Sequence, residues 1–107
     1  MKKVVLLLIL FLKAGQVSAD PWSGTTRIKW LYPSADGLIF ISEYANPDIS
    51  SCENGSRYLI PLNHPNYNVL ASALIAAFMA EKSISFNIDS DQPRSCIPTI
   101  NRFHVYK

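Results

Sequence analysis

A catalytic site needs a nucleophile, a base and an orienting group within reach of one another, and this chain holds few residues of that kind. Its two histidines are His64 and His104. His64 lies between Asn63 and Pro65, ahead of a helical stretch, where an imidazole or amide caps free backbone amides. His104 sits in an alternating run that turns it toward solvent. There is no Gly-x-Ser-x-Gly elbow and no phosphate-cradling loop, and the four glycines are scattered. Asp89 and Asp91 stand two apart in a polar loop and read as solvated turn residues. The expectation is a non-enzymatic protein with no catalytic residue, no metal site and no cofactor.

Cys52 and Cys96 are the only cysteines, so a single pairing exists, and neither their spacing nor that of the histidines suits zinc. A disulfide between them closes a loop of about 45 residues, which in the chain-entropy picture is worth on the order of 4 kcal/mol. Aromatic residues are the richer resource: Trp22, Trp30, Tyr32, Tyr44, Tyr58, Tyr67 and Tyr106. A sugar site lays an aromatic face beneath the apolar face of a pyranose ring, while Asn, Asp, Arg or Ser fixes the hydroxyls. Tyr32 and Tyr44 lie beside turns, and Asn46, Asp48 and Asn54 sit in a polar loop close by. These five are the expected ligand-binding residues. Trp30 and Tyr58 are expected in the core.

The elements that must position them follow from periodicity. Thr25 to Tyr32 alternates, with Thr26, Ile28, Trp30 and Tyr32 on one face and Arg27 and Lys29 on the other. Asp36-Gly37 is a strong hairpin signal. The returning strand, Leu38 to Glu43, lacks polar alternation and reads as central. Tyr44 to Ser56 is a loop on composition, and its Asn54-Gly55-Ser56 sequon reads as a turn. Arg57 to Leu62 is a third strand, made an edge or ended by Pro61. Asn66 to Lys82 is the helix. Its bulky stripe is Tyr67, Leu70, Leu74 and Phe78, and its small stripe is Val69, Ala73, Ala76, Ala77 and Ala80. Ile84 to Ile88 and Ile100 to Tyr106 complete five strands, with Phe103 and Val105 expected inward. The order β-β-β-α-β-β predicts a mainly β, α+β fold with one helix, arranged as a small five-stranded OB-fold-like barrel.

The beginning of the chain reads as a targeting segment. Lys2 and Lys3 precede nine apolar residues, Val4 to Leu12, and Val17-Ser18-Ala19 has the small-residue form of a cleavage site. Nine apolar residues fall short of the ~20 that a helical membrane span requires. Residues 1–19 are therefore expected to be a cleaved signal peptide and residues 20–107 a single domain, secreted or periplasmic, with no membrane span. In that domain seven basic residues face eight acidic ones, a formal charge of −1. A basic footprint for nucleic acid is absent.

The run Pro21-Trp22-Ser23-Gly24 resembles the Trp-Ser/Thr-Gly opening of B subunits of the subtilase-cytotoxin and pertussis-like (typhoid toxin) kind. The stretch from Arg57 through the helix to Lys82-Ser83-Ile84-Ser85-Phe86 is similar to their strand–helix–strand unit. The resemblance covers most of residues 21–106. It implies a secreted OB-fold that assembles as a homo-oligomeric ring, binds a glycan or glycoprotein and partners a toxin A subunit. None of that family's sugar-contacting residues is matched position by position, so none is carried over. For a ring, the expected interface is Ala73, Ile75, Ala76, Met79 and Ala80. The alternative is a stand-alone protein-binding module, such as an inhibitor, that binds no sugar.

Overall fold

A tight turn at Ala35 and Asp36 folds the first two strands against each other, and the rest of the chain is laid around that hairpin. The computed structural model describes residues 20–107, so the expected signal peptide at 1–19 lies outside the described residues. The strands are β1 (Thr26–Ser34), β2 (Gly37–Ser42), β3 (Arg57–Pro61), β4 (Ser83–Ile88) and β5 (Ile100–Val105), and α1 (Tyr67–Met79) lies between β3 and β4. They form one antiparallel sheet in the order β3-β2-β1-β4-β5. Among the described residues the fold is thus mainly β with one α-helix, in the expected element order. Gly37 makes the hairpin: its φ is +139°, and a Cβ there would lie 2.1 Å from the carbonyl oxygen of Ile60. Only glycine fits.

β2 is buried on both faces, as its unbroken apolar run predicts. Its inner residues Leu38 and Phe40 join Tyr58, Ile60, Ile84, Phe86, Ile88 and Ile100 in the core. Phe40 and Tyr44 meet Phe86 edge-on, at ring-centre distances of 5.2 and 5.7 Å. α1 adds Ala71, Leu74 and Ala77. Its bulky stripe packs inward as expected, with Leu74 fully buried and Tyr67 and Leu70 packed against the core. No glycine ends the helix; Glu81 takes the left-handed position itself (φ 56°), and Lys82 N–H returns to Ala77 O at 2.9 Å.

Four side-chain orientations differ from the sequence expectation, each for a local reason. Trp30, expected in the core, is 43% exposed. The β1–β2 register steps from Ile28↔Ser42 to Trp30↔Ile41, so Lys29 is an extra residue on β1. This bulge reverses the alternation beyond it, so that Leu31 packs on the core in place of Trp30. Ser85 and Asn87 alternate as though facing solvent but are buried, because the chain before β1 lies over β4. Trp22 bridges Asn87, and Ile88 N–H donates to Pro21 O at 2.8 Å. Val105, expected inward, is 47% exposed, being the last residue of β5. Within the small stripe, Ala77 belongs to the buried arc of α1, whereas Val69, Ala76 and Ala80 face outward.

The expected disulfide is present, Cys52 to Cys96. It joins the loop after β2 to the loop before β5. Backbone bonds reinforce that junction: Ser51 N–H donates to Ser95 O at 2.8 Å, and Ser95 N–H to Ile49 O at 3.2 Å. Nearby, Leu59 N–H donates to Pro98 O at 3.0 Å, and a parallel bridge pairs Leu59 with Thr99 just before β5. No described helix is long and apolar enough to cross a membrane.

Candidate functional site

The bulge at Lys29 creates a surface as well as displacing a tryptophan. Beyond it, Trp30 and Tyr32 project from the outer face of β1. Register then sets two cross-strand rows on that face: Trp30–Ile41–Arg57 and Tyr32–Ile39–Leu59. Neighbours in such rows stand about 5 Å apart, close enough to touch. The middle and far positions Ile39, Ile41 and Leu59 are buried. The rim is aromatic and cationic.

The rings of Trp30 and Tyr32 stack, with centres 5.4 Å apart and planes 18° from parallel. Arg57 crosses diagonally to them. Its guanidinium carbon lies 5.5 Å from the centre of the Tyr32 ring, and Nη2 donates to the Tyr32 hydroxyl. Nη1 donates to Cys96 Sγ at 3.5 Å, and the buried Nε has no partner. Among the described residues none of its hydrogen bonds goes to a carboxylate. A flat aromatic pair, with Trp30 exposed and Tyr32 half-buried, thus shares one face with a cation.

The five residues expected to bind a ligand do not form one site. Tyr32 stands on this face, joined to Arg57. Tyr44 instead packs on the core beside Tyr58 and Phe86, its amide donating to Thr26 Oγ1 at 2.9 Å. Its hydroxyl accepts from Asn46 Nδ2 at 3.1 Å. Asn46 accepts from Asp48 N–H at 3.1 Å through Oδ1, and its own N–H donates to Gly55 O at 2.9 Å. It organises the loop. Asp48 and Asn54 are exposed, and Asn54 sits in a left-handed turn (φ 56°) beside Glu53 (φ 52°). The structure therefore brings Tyr44, Asn46 and Asp48 together as a loop scaffold and places Tyr32 elsewhere. Trp30 and Arg57 are the residues that sequence reasoning missed. A bulge leaves no signature in the alternation of Ile28, Trp30 and Tyr32, while Arg57 opening an otherwise apolar strand was the available signal.

A second aromatic set lies where the chain before β1 meets β5. Trp22 stacks on His104 at 4.7 Å, the Arg102 guanidinium lies 5.4 Å from the Trp22 ring, and Tyr106 meets His104 edge-on. With two partners already on its ring, Trp22 offers less free aromatic face than Trp30. Nearby, hydrogen bonds from the Ser90 side chain and backbone hold the Asp20 carboxyl below its ordinary range, helped by Arg102. His64 is structural: Nδ1 accepts from Asn66 N–H at 2.9 Å and Nε2 donates to Asn101 O at 3.0 Å. Asp89, expected to be solvated, accepts from Thr99 Oγ1 at 2.6 Å and from Asn101 Nδ2 at 2.9 Å.

The expected interface residues Ile75, Ala76, Met79 and Ala80 lie on the outer arc of α1, and Ala73 is half-buried at its edge. Met79 is 74% exposed. That arc carries no charged residue, its polar members being Asn68 and Ser72. Compared with known protein families, curated proteins and solved structures, the chain matches none.

Proposed function

We propose that this is a secreted or periplasmic, non-enzymatic binding protein that recognises a glycan or glycoprotein through the outer face of β1–β3. The observation that carries this reading is the exposed Trp30 ring, stacked on the half-buried Tyr32 beside Arg57. The negative face of the indole suits the polarised C–H groups of a pyranose. The Tyr32 hydroxyl and the Arg57 guanidinium lie where they can fix sugar hydroxyls, a few precise polar groups beside an apolar surface. Export is supported by the leader-like start and by the disulfide. Closure of the sheet into a small OB-type barrel is supported by the Leu59–Thr99 bridge and by the helix between β3 and β4.

One such platform gives weak binding, and repetition supplies avidity. The uncharged outer arc of α1 supports a homo-oligomer, because a water-facing helix ordinarily carries charge there. A ring of this kind would leave the β1–β3 face free for ligand and offer a place for a toxin A subunit. The same arc also favours a second reading, a protein-binding module without sugar affinity.

The deciding experiment is a glycan array probed with residues 20–107. The proposal expects a defined set of sugar hits, lost by at least about tenfold in Trp30→Ala or Tyr32→Ala. A blank array transfers the case to the protein-binding reading. Light scattering tests assembly separately: a multimer that Met79→Glu dissociates supports the ring, and a monomer at micromolar concentration rejects it.

A further inference from the structure

We propose that the Cys52–Cys96 bridge is a site of thiol–disulfide exchange with a built-in direction: Cys52 is the sulfur attacked and Cys96 the thiolate that leaves. The two sulfurs differ in their contacts: a guanidinium donates to Cys96 Sγ and to no atom of Cys52. Cys96 receives Nη1 of Arg57 at 3.5 Å, a cation whose hydrogen bonds, among the described residues, include none to a carboxylate. A second cation, Arg94, precedes it by two residues, with its Nε tied to Pro47 O at 2.6 Å. Cys52 is followed directly by Glu53, which is exposed. Both cysteines are partly exposed, so a small thiol can approach. A guanidinium in contact lowers the pKa of a thiol, and exchange is faster when the departing thiol has the lower pKa. Arg57 acts directly on Cys96, whereas the charged neighbour of Cys52 in sequence is the acidic Glu53.

The step balances with a small monothiol as reductant. Its thiolate RS⁻ attacks Cys52 Sγ; an RS–Sγ bond forms as the Sγ–Sγ bond breaks, and the electron pair departs on Cys96 Sγ. The new thiolate becomes an anionic partner for Arg57, whose hydrogen bonds among the described residues include none to a carboxylate. A second RS⁻ then attacks the R-group sulfur, releasing Cys52 thiolate, which takes up a proton, together with RSSR. The bridge gains two electrons and two thiols are oxidised to one disulfide. In the opened form the guanidinium is shared between thiolate and Tyr32, which links the redox state of the bridge to the β1–β3 face. The directional chemistry itself does not depend on what that face binds.

The test uses the oxidised protein, residues 20–107, exposed without denaturant to glutathione, quenched with acid, alkylated and mapped by peptide mass. The expected product carries glutathione on Cys52 and the alkyl group on Cys96, in excess over the reverse by about fivefold or more. Arg57→Gln should move the ratio toward one, and Arg57→Lys, which keeps the charge, should restore most of it. In the fully reduced wild-type protein, Cys96 should alkylate with a lower pH midpoint than Cys52, a comparison that needs no variant. Glutathione mainly on Cys96, an even split, no adduct at all, or equal midpoints overturns the proposal.

Discussion

The molecule uses its aromatic residues in two ways, on opposite faces of β2. On the inner face Phe40, Tyr58 and Phe86, joined by Tyr44, meet edge-on or tilted around the core. On the outer face Trp30 and Tyr32 lie stacked and accessible over Ile39 and Ile41. The inner rings contribute through burial: Phe40, Tyr58 and Phe86 are fully buried, and the Tyr58 hydroxyl is satisfied by donating to Gly55 O at 2.9 Å. The outer rings retain a free surface that something else can cover. One inserted residue, Lys29, separates the two roles, because without it Trp30 would have followed Ile28 inward. The comparison teaches that burial and availability are set here by register rather than by residue type.

The sharpest way to break the comparison is to truncate one ring on each face. Phe86→Ala, in the core, should cost about 3–5 kcal/mol in urea unfolding of the oxidised protein. Trp30→Ala should cost much less, on the order of 0.5–1 kcal/mol, since its indole is already half in water. Equal losses would show that the outer pair is part of the core. Next in size, replacing both Cys52 and Cys96 by serine should lower stability by about 2–4 kcal/mol, the unfolded chain being freed of a long loop constraint. The intact mass of the wild-type protein should also rise by two hydrogens on reduction.

Smaller still is Tyr58→Phe, which should cost about 0.5–1.5 kcal/mol near neutral pH, since Gly55 O loses the Tyr58 hydroxyl but keeps Asn46 N–H as a donor. Its pH dependence is more informative. Burial, with Tyr44 adding to it, raises the Tyr58 pKa well above its ordinary value of 10.0. Above pH 10 the unfolded state gives up a proton that the folded state retains, so unfolded chains bind fewer protons and stability falls as pH rises. The contribution is complete below pH 10 and is lost progressively above it. The Tyr58→Phe variant should show a shallower alkaline decline than wild type; identical slopes would mean that Tyr58 ionises freely in the folded protein.

Much of this fold was legible from the chain. Asp36-Gly37 announced the hairpin, the apolar run of β2 its central place, Pro61 the end of β3, and the pattern of Tyr67, Leu70 and Leu74 the inward face of α1. The candidate site was legible only in part. Tyr32 was found because it lies near a turn, but Trp30 was assigned inward because alternation carries no record of a bulge. Arg57 drew no notice because its partners, Tyr32 and Cys96, lie 25 and 39 residues away in sequence. Ser85 and Asn87 misled for the opposite reason: alternation cannot reveal that another segment, Pro21 to Ser23, will lie across a polar face. Pattern reads a strand's own two sides, whereas packing decides which of them stays open.

The central claim is that the exposed rim of the outer β1–β3 face, carried by Trp30, is what meets a ligand. With two tryptophans in the chain, fluorescence can test this directly. In Trp22→Phe, Trp30 is the sole indole reporter, and titration with a sugar identified on the array should shift or quench its emission along a saturable curve. In Trp30→Phe, the emission of Trp22 should stay unchanged at the same sugar concentrations. A response that resides in Trp22 and not in Trp30 would contradict the account and move the binding face to the other end of the sheet, beside His104.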